Sequence, residues 1–209
     1  MGITIKKIMQ MEFTSQLGQD KWVCEALGYK KHGYFLDIGA CDGITFSNTY
    51  YLEKELAWNG ICIEAGKVNF GSLVKNRGCI CVHKALSNEN KVVEFKEDGV
   101  SGMISEEGDQ LIEAITIDKL MIDYNVPLLI DYISLDIEGM EYEVLTKFLF
   151  DKYKVALWTI EHNAYIDKGV MLMKIESIMI KNGYLPDLEM MINTLANCFE
   201  SFWINSKLL

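Results

Sequence analysis

Two carboxylates bracket a glycine turn in the stretch Asp37-Ile38-Gly39-Ala40-Cys41-Asp42-Gly43. Glycines at both ends let the chain turn tightly and let backbone N–H groups approach a ligand with no Cβ in the way. The spacing is not G-x-G-x-x-G, so the phosphate cradle of a dinucleotide site is missing. Asp37 and Asp42 would also repel a pyrophosphate, whereas an ammonium or sulfonium would suit them. About 20 residues past the turn, Glu64 closes the next apolar run, where a carboxylate can accept hydrogen bonds from both hydroxyls of a ribose. The pattern asks for a nucleoside that carries a positive group and no phosphates, which describes S-adenosylmethionine. Each piece has a plainer reading: glycine for turn geometry alone, Glu64 as a solvated acid. Their register within one βαβ unit favours the ligand.

More acids stand where two later strands should end: Asp136 and Glu138, then Glu161 beside His162. Transfer from a sulfonium to a nucleophile dissipates charge, so a protein gains mostly by positioning the reactants, up to roughly 7–11 kcal/mol. A hydroxyl acceptor must also lose its proton, and a placed base adds about 10²–10⁴-fold. His162 is the preferred base, since an imidazole titrates near about pH 6.5; its plainer role is a bond to a backbone carbonyl. Asp136 is the stronger candidate for a site role, because a carboxylate ending a buried strand needs a partner. Glu138 either faces the site or caps the next helix. Asp136, Glu161 and His162 would also make an oxygen-rich group compatible with magnesium or manganese. The spacing alone does not require an ion, so a divalent metal is conceivable and none is expected.

These residues need a scaffold that brings strand ends to one edge. Tyr34–Ile38, Gly60–Glu64 and Cys79–Val82 are short apolar runs bounded by turn residues, the pattern of buried strands. So are Asp131–Asp136 and Val155–Ile160. Between them, helical spacing predicts helices over 20–29, from Ser47 or Asn48 to Trp58, 68–75, 139–150 and 168–181. Lys91–Lys96 alternates like a strand, residues 98–109 read as a mobile surface loop that could serve as a lid, and the tail from Tyr184 to Ile204 supplies two closing strands. The expected fold is α/β: a central, mostly parallel seven-stranded sheet with helices on both faces, formed by 1–209 as a single domain. Ser47, Asn48 and Thr49 fall at a helix start, where free N–H groups could receive a carboxylate or be met by simple capping.

Several ordered stretches resemble the FkbM family of methyltransferases: Ser15-Gln16-Leu17-Gly18-Gln19-Asp20-Lys21-Trp22-Val23, the run Phe35 to Gly43, Ser47-Asn48-Thr49, Gly60 to Ala65, Lys84-Ala85-Leu86-Ser87, and Ile133 to Glu141. The resemblance spans roughly residues 15–185. It implies a Rossmann-like fold that binds S-adenosylmethionine and methylates a hydroxyl of a sugar, glycan or other natural product. Asp37, Gly39, Ala40, Asp42 and Gly43 would shape the methionine pocket, Glu64 and Ala65 the ribose end, and Ala85, Leu86 and Ser87 the adenine slot. Ser47, Asn48, Thr49 and Asp136 would complete the cofactor set. Gln19, in an N-terminal helical extension over 1–30, would fold across the cofactor. Cys41 departs from the small polar residue usual there, and 98–109 has no clear counterpart beyond Ser101-Gly102.

Composition narrows the partners. Among 209 residues, 20 Lys and Arg face 30 Asp and Glu, a net charge of −10. Such a surface repels phosphate backbones and anionic lipid, so neither nucleic acid nor a membrane is expected as partner. No apolar run is long enough to span a bilayer, and six cysteines without a C-x-x-C pair fit buried reduced thiols in a cytoplasmic protein. Two rivals stand: a non-catalytic module that binds an adenosyl ligand, and an NAD-dependent oxidoreductase, which the missing phosphate glycines disfavour.

Overall fold

A computed structural model describes residues 12–194 and 199–208. In chain order the first elements are α1 (Gln19–Ala26), β1 (Tyr34–Ile38), α2 (Tyr50–Leu56), β2 (Asn59–Glu64), α3 (Lys67–Asn76) and β3 (Ile80–His83). Then follow β4 (Ala85–Leu86), β5 (Lys91–Lys96), β6 (Met103–Ile104), β7 (Gln110–Ile115), α4 (Ile117–Asp123) and β8 (Leu129–Leu135). The chain ends with α5 (Glu141–Lys147), β9 (Lys154–Glu161), α6 (Ala164–Asp167), α7 (Val170–Lys181), β10 (Leu185–Pro186), α8 (Leu188–Thr194) and β11 (Glu200–Ile204).

The main sheet has seven strands in the order β10-β11-β9-β8-β1-β2-β3. Its side chains alternate between two apolar layers, as a pleated strand requires. Leu36 and Ile38 of β1 join Val144, Leu145, Ile175 and Met179 from α5 and α7. Phe35 turns the other way, to Trp22, Val23, Leu52 and Leu73 from α1, α2 and α3. Helices therefore cover both faces, as expected.

One expectation is corrected. The sheet is mixed rather than mostly parallel: β1, β2, β3, β8 and β9 pair in parallel, but β11 runs antiparallel to both β9 and β10. Periodicity sets which face a strand buries, not its direction. The reversal has a consequence, because it brings the first residue of β11 to the edge where β8 and β9 end.

A second sheet was not anticipated as a sheet. Its order is β4-β7-β5-β6, and it encloses a small apolar layer of Ala65, Ala85, Val93, Phe95, Ile112 and Ala114. The segment 98–109 belongs to it in part: Met103 and Ile104 pair with Lys96 and Phe95, so the expected loop holds a strand. Residues 1–11, most of the expected extension ahead of α1, and Cys198 lie outside the described residues. Of the described cysteines, all unpaired, Cys24 and Cys62 are buried while Cys41, Cys79 and Cys81 are half-buried. Among the described residues, no helix is long and apolar enough to cross a membrane.

Candidate active site

The chain leaves β1 for β2 on one side and later fills β8 and β9 on the other, so the strand order reverses between β1 and β8. That is where open α/β sheets bind ligands. At this edge the Asp136 N–H donates to the Ile38 carbonyl at 3.0 Å. Gly39 has φ +89°, and a Cβ there would lie 1.7 Å from the Asp136 carbonyl oxygen. Only glycine lets the two strand ends close up.

The crevice has two communicating halves, with Gly39, Cys41, Val100, Asp136 and Glu138 on the wall between them. The first, about 520 Å³ with its mouth, is lined by Glu64, Ala65, Ala85, Leu86, Phe95 and Ile104. Glu64 is buried; its Oε2 accepts the Cys41 N–H at 2.8 Å and its Oε1 the Gly66 N–H at 2.6 Å. Burial, helped by the nearby Glu97 charge, pushes Glu64 up to about 7 against the pull of those backbone bonds.

The second half is larger, about 1120 Å³ with its mouth. It is lined by Gln16, Gln19, Asp37, Ala40, Ser47, Asn48 and Ser134, and by Glu161, Asn163, Tyr165 and Glu200. Five carboxylates (Asp37, Asp136, Glu138, Glu161 and Glu200) border it, and no Lys, Arg or His is among its described lining residues. Asn48 donates to Ser134 Oγ at 2.8 Å, yet its buried Oδ1 has no donor. Gln19 hydrogen-bonds Glu200 through its side-chain amide. Burial and Asp136 push Glu200 up to about 8.

Asp136 opens onto the crevice but is ringed by protein, and that enclosure raises it to about 6. Glu161 is driven further upward, by burial first and then by the facing Asp136 charge. Glu138 adopts a left-handed φ of +56° and accepts from the Asn163 amide at 3.3 Å. It does not cap α5. Glu141 satisfies that turn instead, accepting from Ile137 N–H at 2.9 Å and Gly139 N–H at 3.0 Å.

Five expected site residues face away from the crevice. Asp42 spends its carboxylate inside the turn, accepting from the Ile44 and Thr45 N–H groups and the Thr45 hydroxyl. Gly43 is a packing glycine: a Cβ would lie 2.6 Å from Leu73 and 2.7 Å from Arg77. Thr49 bonds Asp37 at 2.5 Å and receives Arg77 Nη2 at 2.9 Å. Ser87 closes a turn with the Glu89 carbonyl. His162 is buried, with Nδ1 accepting the Ala164 N–H at 3.2 Å, a backbone bond but not the carbonyl contact expected, and burial lowers its pKa. It does not join the acid group either: the three carboxylates that converge are Asp136, Glu138 and Glu161, with oxygens within 4.8 Å of one another.

Three residues escaped the sequence reading. Arg77 lies fully buried under the glycine turn, bonding Glu53 through Nε at 2.6 Å and reaching Asp37 at 3.7 Å. Glu141 and Glu200 are the other two. Distance along the chain hides Arg77 and Glu200, and nothing in the sequence sets Glu141 apart from the other acids of its stretch.

The sequence matches the family described as methyltransferase FkbM domain over residues 37–198. No curated protein matches the chain. Among solved structures, a Klebsiella pneumoniae protein assigned as an O-methyltransferase superposes with a TM-score of 0.54 at 10% identity, covering 94% of this chain and 84% of that one. A methyltransferase FkbM from Methylobacillus flagellatus KT gives 0.50 at 12% identity, covering 82% of this chain and 43% of that one. At such identities the likeness is one of fold.

Proposed function

The chain belongs to the FkbM methyltransferase family, and on that footing we propose that its crevice binds S-adenosylmethionine and directs the methyl group to a hydroxyl of a sugar, glycan or other small natural product. The observation that carries the reading is Glu64, buried at the end of β2 and facing the crevice at the switch point. Beyond its two backbone bonds, its carboxylate keeps lone pairs for two ribose hydroxyls. Ala85, Leu86, Phe95 and Ile104 offer an apolar slot for adenine. The orphaned Asn48 Oδ1 and the nearby Asp37 are acceptors for a charged amino head, while Ser47 and Gln16 offer donors to a carboxylate.

Bound there, the cofactor supplies a methyl carbon on a sulfonium, and the C–S electron pair stays on a neutral thioether once an acceptor oxygen takes the methyl. The chain's own work is positional. The wall shared by the two halves sets the acceptor against the sulfonium, the effect that contributes most in such transfers. Asp136 stands on that wall, and its raised pKa suits it to receive the acceptor's proton near neutrality. Val100 and Ser101 border the acceptor side, so the segment 98–109 is read as its lid. An acid-lined cavity disfavours phosphate-rich acceptors such as nucleic acid. The free thiols fit a cytoplasmic setting.

The test is incubation of the protein with isotopically labelled S-adenosylmethionine and fractionated glycan and metabolite extracts. One product gaining a labelled methyl on oxygen supports the reading. Binding without label transfer to any fraction would favour a non-catalytic module instead.

A further inference from the structure

We propose that Asp136, Glu138 and Glu161 form a site for one oxygen-seeking divalent cation, of the magnesium, manganese or calcium class, on the acceptor side of the crevice. Their carboxylate oxygens lie within 4.8 Å of one another. Two oxygens on one ion can be no further apart than twice the metal–oxygen distance, about 4.2 Å for Mg²⁺ and about 4.6–5.2 Å for Ca²⁺. The group therefore needs little or no closure to share an ion.

A second observation is independent of that clustering. Glu161 is only 8% exposed, lines the cavity, and as a carboxylate its Oε2 meets no donor. Such an atom is costly unless something positive reaches it. A third concerns sheet register: Glu161 of β9 stands directly opposite Glu200 of β11, and like charges directly opposed destabilise a sheet. With no cationic side chain among the described lining residues, neutralisation must come from shared protons or from a bound cation. Three converging oxygens favour an ion, which would hold an acceptor hydroxyl beside Asp136 and favour its deprotonated form.

The assignment stands on the carboxylates alone, so it can fail while the cofactor reading holds. Its test is titration of the full chain, stripped with chelator and free of cofactor, with Mn²⁺ at neutral pH, free ion being read by electron paramagnetic resonance. The expected result is one Mn²⁺ per chain, displaced by Mg²⁺ or Ca²⁺, with Glu161→Gln and Glu138→Gln each weakening binding more than about tenfold. Melting curves of both variants without metal should show the fold intact, and removal of a crowded charge should leave Glu161→Gln no less stable. No Mn²⁺ bound at millimolar concentration overturns the proposal, as does binding that survives both substitutions. So does a cavity that ignores Mn²⁺ but is occupied by a small alkylammonium probe, which would mark it as a seat for a cationic acceptor.

Discussion

Asp136 is better placed than His162 for the base role that sequence logic gave first to the histidine. Asp136 faces the crevice at the wall shared by its two halves, while His162 is buried with Nδ1 accepting a backbone N–H. Asp136→Asn is therefore expected to lower kcat by about 10²-fold or more, while His162→Gln should leave it within about threefold. Single-turnover kinetics separates this from lost affinity, because a positioning defect would move KM as well. The histidine was a sound guess from residue type, since its free pKa suits a base. What the sequence could not show is that the chain after β9 turns back on itself and consumes the ring nitrogen locally.

At the scale of elements, the glycine turn depends on a buried cation beneath it. Arg77, from the end of α3, donates to the Gly43 carbonyl, Ser47, Thr49 and Glu53 and lies 3.7 Å from Asp37. Arg77→Met leaves two acids without their partner, and breaking such a buried pair costs about 3–5 kcal/mol, readable as a lower urea midpoint. Burial works against Glu53, yet bonds from Lys54, Arg77 and Gly78 hold it down at about 2 from an ordinary 4.5. A depressed carboxylate contributes stability above its unfolded pKa and loses it as pH falls towards the folded one. Wild type should therefore weaken between about pH 4.5 and pH 2, with less slope in Glu53→Gln. The lid role proposed for 98–109 has its own test. Proteolytic cleavage within 98–109 should slow when cofactor and acceptor are both present, and an unchanged rate counts against the role. Strand existence was legible because apolar runs are short and punctuated: β1 and β5 fall where the pattern put them, at Tyr34–Ile38 and Lys91–Lys96. The direction of β11 was not, because side-chain alternation is the same for parallel and antiparallel pairing. Glu200 was lost with it.

For the molecule as a whole, a net charge of −10 and a crevice bordered by carboxylates act in the same sense, drawing cations and repelling phosphates. The glycine spacing, the acids and the alternation of strands with helices indicated such a crevice before any coordinates, because each is a demand of local βαβ geometry. The second sheet, which closes the apolar half of the crevice, was hidden as a sheet, since β4 and β6 hold only two residues each and join it across separate segments. What the whole account needs is that Glu64, as a carboxylate, grips the ribose of an adenosyl sulfonium. Burial has raised its pKa to about 7, so protonation stabilises the unliganded fold below that value, and this contribution is lost as pH rises through it. Ligand binding follows the opposite sign, because only the charged form accepts both hydroxyls. Calorimetric titration of S-adenosylmethionine should thus give a Kd about tenfold weaker at pH 6 than at pH 8. In Glu64→Gln, affinity should drop about tenfold or more at pH 8 and lose its pH dependence. Absence of binding to the wild type, or affinity indifferent to both pH and the Glu64 substitution, would contradict it.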